Sequence, residues 1–438
     1  MELRRSLTLY TLTMVAIGST IGSGIFRTPG KIAAGVHLQE YVILLWVLGG
    51  VVALTGALTF AEMGSMFPGA GGLYVYLREA YGDTVAFLYG WFILFISTSG
   101  SIAAVVLVCS EHLLYVMGQG RDSPAEIPLA LGIIGLLTAM NVRGVHWGKW
   151  IADLFTGAKL LGLLLLIAVG LLIARPDVAA ANAADPIAQT PPTNLMAALA
   201  AAFIGVLWSY GGWQHASYMA GETVNPQRNV PRAMVIGALT VTTVYVLANV
   251  AYMRLLPMSE IASSKTIAAD ALGGVFAWGG WVMAVLIAIS TFGTAGIYCM
   301  TAPRIYFAMA RDGIFFKKIA EVHPRWHTPA NAILTQSAWS AILLLFWGAF
   351  EELIEYVTFM DWVGLMLVGA AIFVFRAKRP DAPRPYRTLG YPVVPAVFIL
   401  ISFWFVAFTL YNEPINAWAG IAMLGIGYLA YRFWFRAR

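Results

Sequence analysis

Long uncharged stretches alternate with short charged ones along the whole chain. No Asp, Glu, Lys or Arg occurs within residues 6–26, 41–61, 84–110, 186–221, 233–253, 271–303, 326–350, 388–412 or 414–431. Shorter apolar runs at 127–142, 160–174 and 362–375 are lengthened by the charges inside or beside them. A helix needs roughly 20 mainly apolar residues to cross a bilayer. The runs are continuous and lack period-two alternation, which excludes strands as the main element. The pattern therefore predicts an all-α polytopic membrane protein with twelve transmembrane helices.

Composition removes the alternative of a soluble fold. Of 438 residues, 60% are hydrophobic and 11% charged, against about 25% charged in ordinary soluble domains. There is too little polar surface to cover such a core in water. The longest polar stretches, 304–326 and 376–387, and the Ala-, Pro- and Asp-rich segment 175–193, read as loops. No soluble domain fits, so whatever the protein does takes place among its helices. Arg4 and Arg5 before the first apolar run resemble a signal peptide's start. That run is too long and lacks a small-residue cleavage site, so it is expected to stay as the first span.

Charge then fixes an orientation. With the N-terminus cytoplasmic, all but seven of the 27 Lys and Arg residues fall on the cytoplasmic side. Six exceptions, Arg27, Lys31, Arg121, Arg175, Arg254 and Lys265, fall in outer loops, and Lys159 lies inside a span. The expected topology is N-in, C-in. The basic balance reflects this asymmetry and gives no support for nucleic-acid binding. Cys109 and Cys299 both fall in spans and read as small buried hydrophobes. There is no Asn-x-Ser/Thr sequon. A multi-pass protein of a bacterial inner membrane fits these features.

Two spans are abnormal. The first contains Gly18-Ser19-Thr20-Ile21-Gly22-Ser23-Gly24, and the sixth contains Trp208-Ser209-Tyr210-Gly211-Gly212-Trp213. A glycine in a helix interior costs up to about 1 kcal/mol relative to alanine. Either cluster alone suits close helix packing, since Gly18-x-x-x-Gly22 is also an association motif. The breaks, however, open two successive blocks of five spans. Broken helices at matching positions of two halves point to an inverted-repeat carrier with its site at the midplane. Residues 1–175 are thus expected to form the first five-helix repeat, 176–378 the second, and 379–438 the last two spans.

The broken ends suggest a ligand. Amides of Ile21, Gly22, Ser23 and Gly24 at a helix start suit a carboxylate. Carbonyls near Ala16, Thr20, Trp208 and Gly211 suit an ammonium. Together they describe the α-carbon end of an amino acid, with its side chain toward Trp208 and Gln214. A bulky Trp208, next to Ser209, is placed to act as a lid. Lys159 is the one basic residue deep in a span, which marks it as functional. Ser290 and Thr291 are expected as its hydroxyl partners, and snorkelling toward Asp153 is the competing explanation. Asp361 reads as either interfacial or a proton site. Glu62 ends the second span, and His215 suits a structural role. Tyr245 and Asn249, one turn apart, either line the cavity or bond across helices. No catalytic or nucleotide-binding motif is present, and no metal or cofactor is expected.

Gly18 to Phe26 (GSTIGSGIF) resembles the first-helix signature of the amino acid–polyamine–organocation (APC) superfamily. The run from Ser209 to Ala233 (SYGGWQHASYMAGETVNPQRNVPRA) is similar to its L-type amino acid transporter branch. So are DLFTGAKLLGL around Lys159, VYVLANVAY around Tyr245, and KRPDAPRPYRTLGYPVVP after the tenth span. The resemblance covers nearly the whole chain. It implies a LeuT-type fold and sodium-independent exchange of neutral L-amino acids by alternating access. It places substrate on Ile21, Gly22, Ser23, Gly24, Trp208 and Gly211, and matches Lys159 and Tyr245 to the family's fifth-helix lysine and seventh-helix tyrosine. Trp208 stands where the family usually has a Phe-type gate, and Asp361 where it usually has a neutral residue. Animal light subunits carry a cysteine between the third and fourth spans that bonds a heavy subunit. Residues 118–128 have none, so no disulfide-linked partner is expected.

Overall fold

The computed structural model describes residues 3–119, 123–173, 175–185, 187–347, 350–412 and 414–435. Arg121 lies outside the described residues. The chain folds into α1 (Leu9–Thr20), α2 (Gly24–Val36), α3 (Gln39–Met66), α4 (Leu73–Tyr81), α5 (Asp83–Phe92) and α6 (Thr98–Val116). There follow α7 (Glu126–Val142), α8 (Val145–Leu172), α9 (Pro176–Ala184), α10 (Leu195–Ser209), α11 (His215–Tyr218) and α12 (Pro226–Leu255). The remainder is α13 (Met258–Ser263), α14 (Ile267–Gly273), α15 (Gly279–Thr301), α16 (Pro303–Arg311), α17 (Ala330–Trp347), α18 (Phe350–Lys378), α19 (Val393–Asn412) and α20 (Pro414–Ala430).

Among the described residues eight helical runs are long and apolar enough to cross a membrane, and three shorter apolar helices lie at Glu126–Val142, Leu195–Ser209 and Ala330–Phe346. With α20 they make the twelve spans that the uncharged stretches predict. Large apolar side chains such as Leu161, Leu172, Phe346, Leu400 and Phe403 are exposed. In a bilayer these faces meet lipid, where exposure of hydrocarbon carries no penalty.

Both predicted breaks are present. α1 stops at Thr20, and residues 21–23 separate it from α2. Local chemistry explains the stop. The Ser19 hydroxyl donates to Val15 O at 2.6 Å and Thr20 Oγ1 to Ala16 O at 2.8 Å. Such back-bonding competes with the helix ladder, and glycines on either side add no side chain to hold it. α10 stops at Ser209, and the chain turns through 210–214 before α11. α1 packs between α12, α8 and α15, so the first break sits in the centre of the bundle.

A third irregularity was not foreseen. One π turn, Ile93–Ser97, joins α5 to α6 within the third span. The Ser99 hydroxyl donates five residues back to Leu94 O at 2.5 Å. π turns inside α-helices gather at functional sites because they re-aim side chains. Here the turn sits level with the two breaks.

The ends of the spans are tied by ion pairs and by one short backbone bridge. Ser6 N and Leu7 N donate to Glu222 O, and Val224 N donates back to Leu7 O at 2.9 Å. Beneath this bridge the Glu222 carboxylate takes Arg304 Nε at 2.7 Å, both side chains being buried. Glu62, also buried, binds Arg376, Arg384 and the Thr388 amide. Cys109 and Cys299 are free and buried.

Candidate functional site

The two breaks share one cavity of about 60 Å³. Thr20, Gly22, Ser23 and Gly24 line it from the first span, and Trp208, Ser209, Gly211, Gly212 and Gln214 from the sixth. The third span adds Tyr89, Ile93, Ser97 and Thr98, and α18 adds Asp361 and Leu365. Among the expected substrate contacts only Ile21 is absent from this wall.

Backbone hydrogen bonds sort the expected amides. Ile21 N donates to Ile17 O, and Gly22 N to Thr20 O at 2.9 Å. Both are therefore engaged within the chain. The Ser23, Gly24 and Ile25 amides have no acceptor among the described residues, as the first turn of a helix requires. Ser23 Oγ is fully buried and has no partner among the described residues. The positive end of α2 thus presents the Ser23 and Gly24 amides and a hydroxyl to the cavity. The anion position moves one to two residues beyond the Ile21–Gly22 pair.

The expected ammonium acceptors divide likewise. Ala16 O takes the Thr20 hydroxyl, Thr20 O takes Tyr245 Oη at 2.9 Å, and Trp208 O takes Gly211 N at 3.0 Å. Gly211 O receives no donor among the described residues. Trp208 is half-buried at the cavity wall. Gln214 turns inward on its own break, its Oε1 accepting from Gly212 N at 2.9 Å.

Close approach of the two breaks depends on Gly212. Its φ is +134°, a region essentially reserved for glycine. A Cβ there would lie 2.6 Å from the Ser19 carbonyl and the Thr20 nitrogen. Across this contact the Ser19 hydroxyl reaches Gly212 O at 2.8 Å. Sequence reasoning placed Gly212 in the break but missed this crossing, which joins positions 193 residues apart.

Lys159 does not snorkel. It is buried behind α1, and its Nζ donates to Gly18 O at 3.0 Å, Ile21 O at 2.7 Å and Thr294 Oγ1 at 2.7 Å. Three acceptors match the three donors of an ammonium. Ser290, one turn before Thr294 on α15, is 3.5 Å from Ile21 O. Thr291 bonds Ile287 O on its own helix, because it faces away from α1. Thr294 is therefore the hydroxyl partner, and the signal for it was its i+4 spacing from Ser290.

Tyr245 stands behind the wall and bonds across helices. Its hydroxyl lies 2.9 Å from Thr20 O and 3.1 Å from Ser209 O. These are the last residues of α1 and α10, so one side chain holds both broken ends. Asn249 only bonds the Tyr245 carbonyl on its own helix. His215 lines the cavity, bonds Thr301 Oγ1 at 2.6 Å and stacks on Tyr298. Asp361 is not interfacial. It lines the cavity and accepts from Ser97 Oγ, in the π turn, at 2.6 Å.

This arrangement is matched by family. Residues 7–431 fit the model of the amino acid permease family. The chain belongs to that family. The permease is 31% identical over 422 residues to the b(0,+)-type amino acid transporter 1 of Mus musculus, covering 95% of this chain and 84% of the relative. It is 31% identical to the large neutral amino acids transporter small subunit 2 of Oryctolagus cuniculus, over 98% of this chain and 80% of that protein. The Asc-type amino acid transporter 1 of Mus musculus is 32% identical, over 97% and 80%. The permease is therefore a multi-pass membrane transporter of an amino acid transport family and not an enzyme.

Proposed function

We propose that this permease exchanges small amino acids across the membrane by alternating access, without sodium. One observation carries the reading. The uncommitted Ser23 and Gly24 amides and the Ser23 hydroxyl, unpartnered among the described residues, face the broken end of α10 with its open Gly211 carbonyl across one cavity. An anion position beside a carbonyl position is the recognition pattern of a zwitterion. A water needs roughly 10–15 Å³ of such space, so about 60 Å³ takes a handful of waters or a small amino acid.

The Lys159 ammonium holds Gly18 O and Ile21 O in place, a task that a bound cation would otherwise perform at freed carbonyls. This supports independence from sodium. The two-repeat division at residues 1–175 and 176–378, cytoplasmic termini, a cell-membrane location and the lack of a disulfide-linked heavy subunit belong to the same proposal.

Counterflow in proteoliposomes tests it. In sodium-free buffer, uptake of labelled amino acid should require amino acid preloaded inside. Uptake driven by a pH gradient into empty vesicles would overturn the exchange mechanism in favour of proton coupling. Binding without any flux would make the protein a sensor.

A further inference from the structure

We propose that Asp361 makes this carrier select amino acids whose side chain bears a second, cationic amine on a short chain. The inference rests on the amino acid reading above and names the substrate class of that same site.

Asp361 sits on the cavity wall, half-buried, opposite the broken ends. Among the described residues its one hydrogen-bond donor is Ser97 Oγ at 2.6 Å. A carboxylate has about four acceptor positions, so most of its capacity stays open. No Lys or Arg lines the cavity, and Asp361 forms no ion pair among the described residues. The two fully buried acids among the described residues differ. Glu62 holds Arg376 and Arg384, and Glu222 holds Arg304. Lys159 makes no hydrogen bond to it, since its three donors are spent on Gly18, Ile21 and Thr294. His215 bonds Thr301, stacks on Tyr298 and lies tilted against Tyr218. Tyr89, Tyr218 and Tyr298 complete the polar surroundings of the carboxylate.

The charge balance follows. The ends of a zwitterion cancel one another, so a neutral amino acid leaves one carboxylate uncompensated within the bilayer. Such a charge is expensive and calls for a partner. A side-chain ammonium brings one positive charge and three donors, which suit Asp361, the Ser97 oxygen and the Tyr89–Tyr218 hydroxyl pair, whose oxygens are 3.0 Å apart. The cavity's size favours a short chain, from a diaminopropionate to an ornithine.

Ornithine and norvaline share a five-carbon skeleton and differ in the terminal amine, so their comparison isolates the charge. Counterflow of each, radiolabelled, is measured at pH 7 in sodium-free proteoliposomes for the wild type and for Asp361→Asn. The wild type should favour ornithine, and the variant's ornithine-to-norvaline ratio should fall at least tenfold. A wild-type ratio below one overturns the proposal, and this arm stands even if the variant fails to purify. An unchanged ratio in a well-folded variant also overturns it. So does norvaline uptake that rises with acid in the wild type and loses that dependence in Asp361→Asn, because a proton would then be the partner. Norvaline flux without ornithine flux sinks this inference alone, whereas no flux of either sinks the amino acid reading as well.

Discussion

Gly212→Ala should weaken amino acid binding by at least tenfold while leaving the protein folded. The added Cβ would stand 2.6 Å from backbone atoms of Ser19 and Thr20, against an ordinary minimum near 3.4 Å, so the two breaks must part by about 0.8 Å. Parting by that much stretches the 2.8 Å Ser19–Gly212 hydrogen bond to about 3.6 Å, beyond hydrogen-bond range. Its loss removes roughly 0.5–1.5 kcal/mol. Holding a non-glycine residue at φ +134° adds roughly 1–3 kcal/mol. The total, about 1.5–4.5 kcal/mol, falls on the state in which the breaks touch and the cavity is complete. Only about 1.4 kcal/mol of it need appear in binding to give a tenfold loss. The assay is a scintillation-proximity binding curve on detergent-purified protein. Gly35→Ala, whose Cβ meets nothing within 4 Å, serves as a control for handling. Gly22→Ala should rank well below Gly212→Ala, since its Cβ makes only an ordinary 3.5 Å contact with Thr294. Wild-type affinity in Gly212→Ala, or a larger loss in Gly22→Ala, would refute the reasoning.

Lys159→Ala should reduce counterflow more than tenfold with near-normal expression, because Gly18 O and Ile21 O lose a charged donor; normal flux would contradict that role. Thr294→Val should give a milder defect in the same assay, as it removes one hydroxyl and leaves the ammonium in place. Tyr245→Phe removes a bond worth roughly 0.5–1.5 kcal/mol from the ends of α1 and α10, and should change the apparent affinity about two- to tenfold in uptake titrations. Glu222→Gln leaves Arg304 buried without its partner, a loss of roughly 3–5 kcal/mol. Its melting temperature by fluorescence size-exclusion should drop sharply, and an Arg304→Met, Glu222→Leu double variant should recover part of it.

The spans and the breaks were legible because both leave a signature within a few residues of sequence. Twenty uncharged residues announce a span, and glycines beside hydroxyls announce a weak turn in it. What the sequence hid was relative rotation. Ser290, Thr291 and Thr294 all lie near Lys159 along the chain's expected map, but only one helical face points at α1, and it carries Thr294. The Ser97–Asp361 contact depends on a π turn that no residue pattern marks, and joins positions 264 apart. The amides shifted from Ile21 and Gly22 toward Ser23–Ile25 for a similar reason. Which N–H groups are free depends on how the strand between the helices curls, and Gly22 curls back onto Thr20.

The Tyr245 hydroxyl has one proton and two claimants, Thr20 O and Ser209 O. It cannot serve both if the helix ends separate. Thr20 O keeps a donor in Gly22 N, whereas Ser209 O has no other among the described residues, so a hydroxyl that follows Thr20 leaves Ser209 O bare in a membrane interior with no water to turn to. Under the proposed exchange, the Tyr245–Ser209 contact holds an empty carrier shut, and an arriving ammonium takes its place at Ser209 O. On the exchange reading, the missing proton is what forbids the empty return trip, so a carrier without a coupling ion trades instead of leaking.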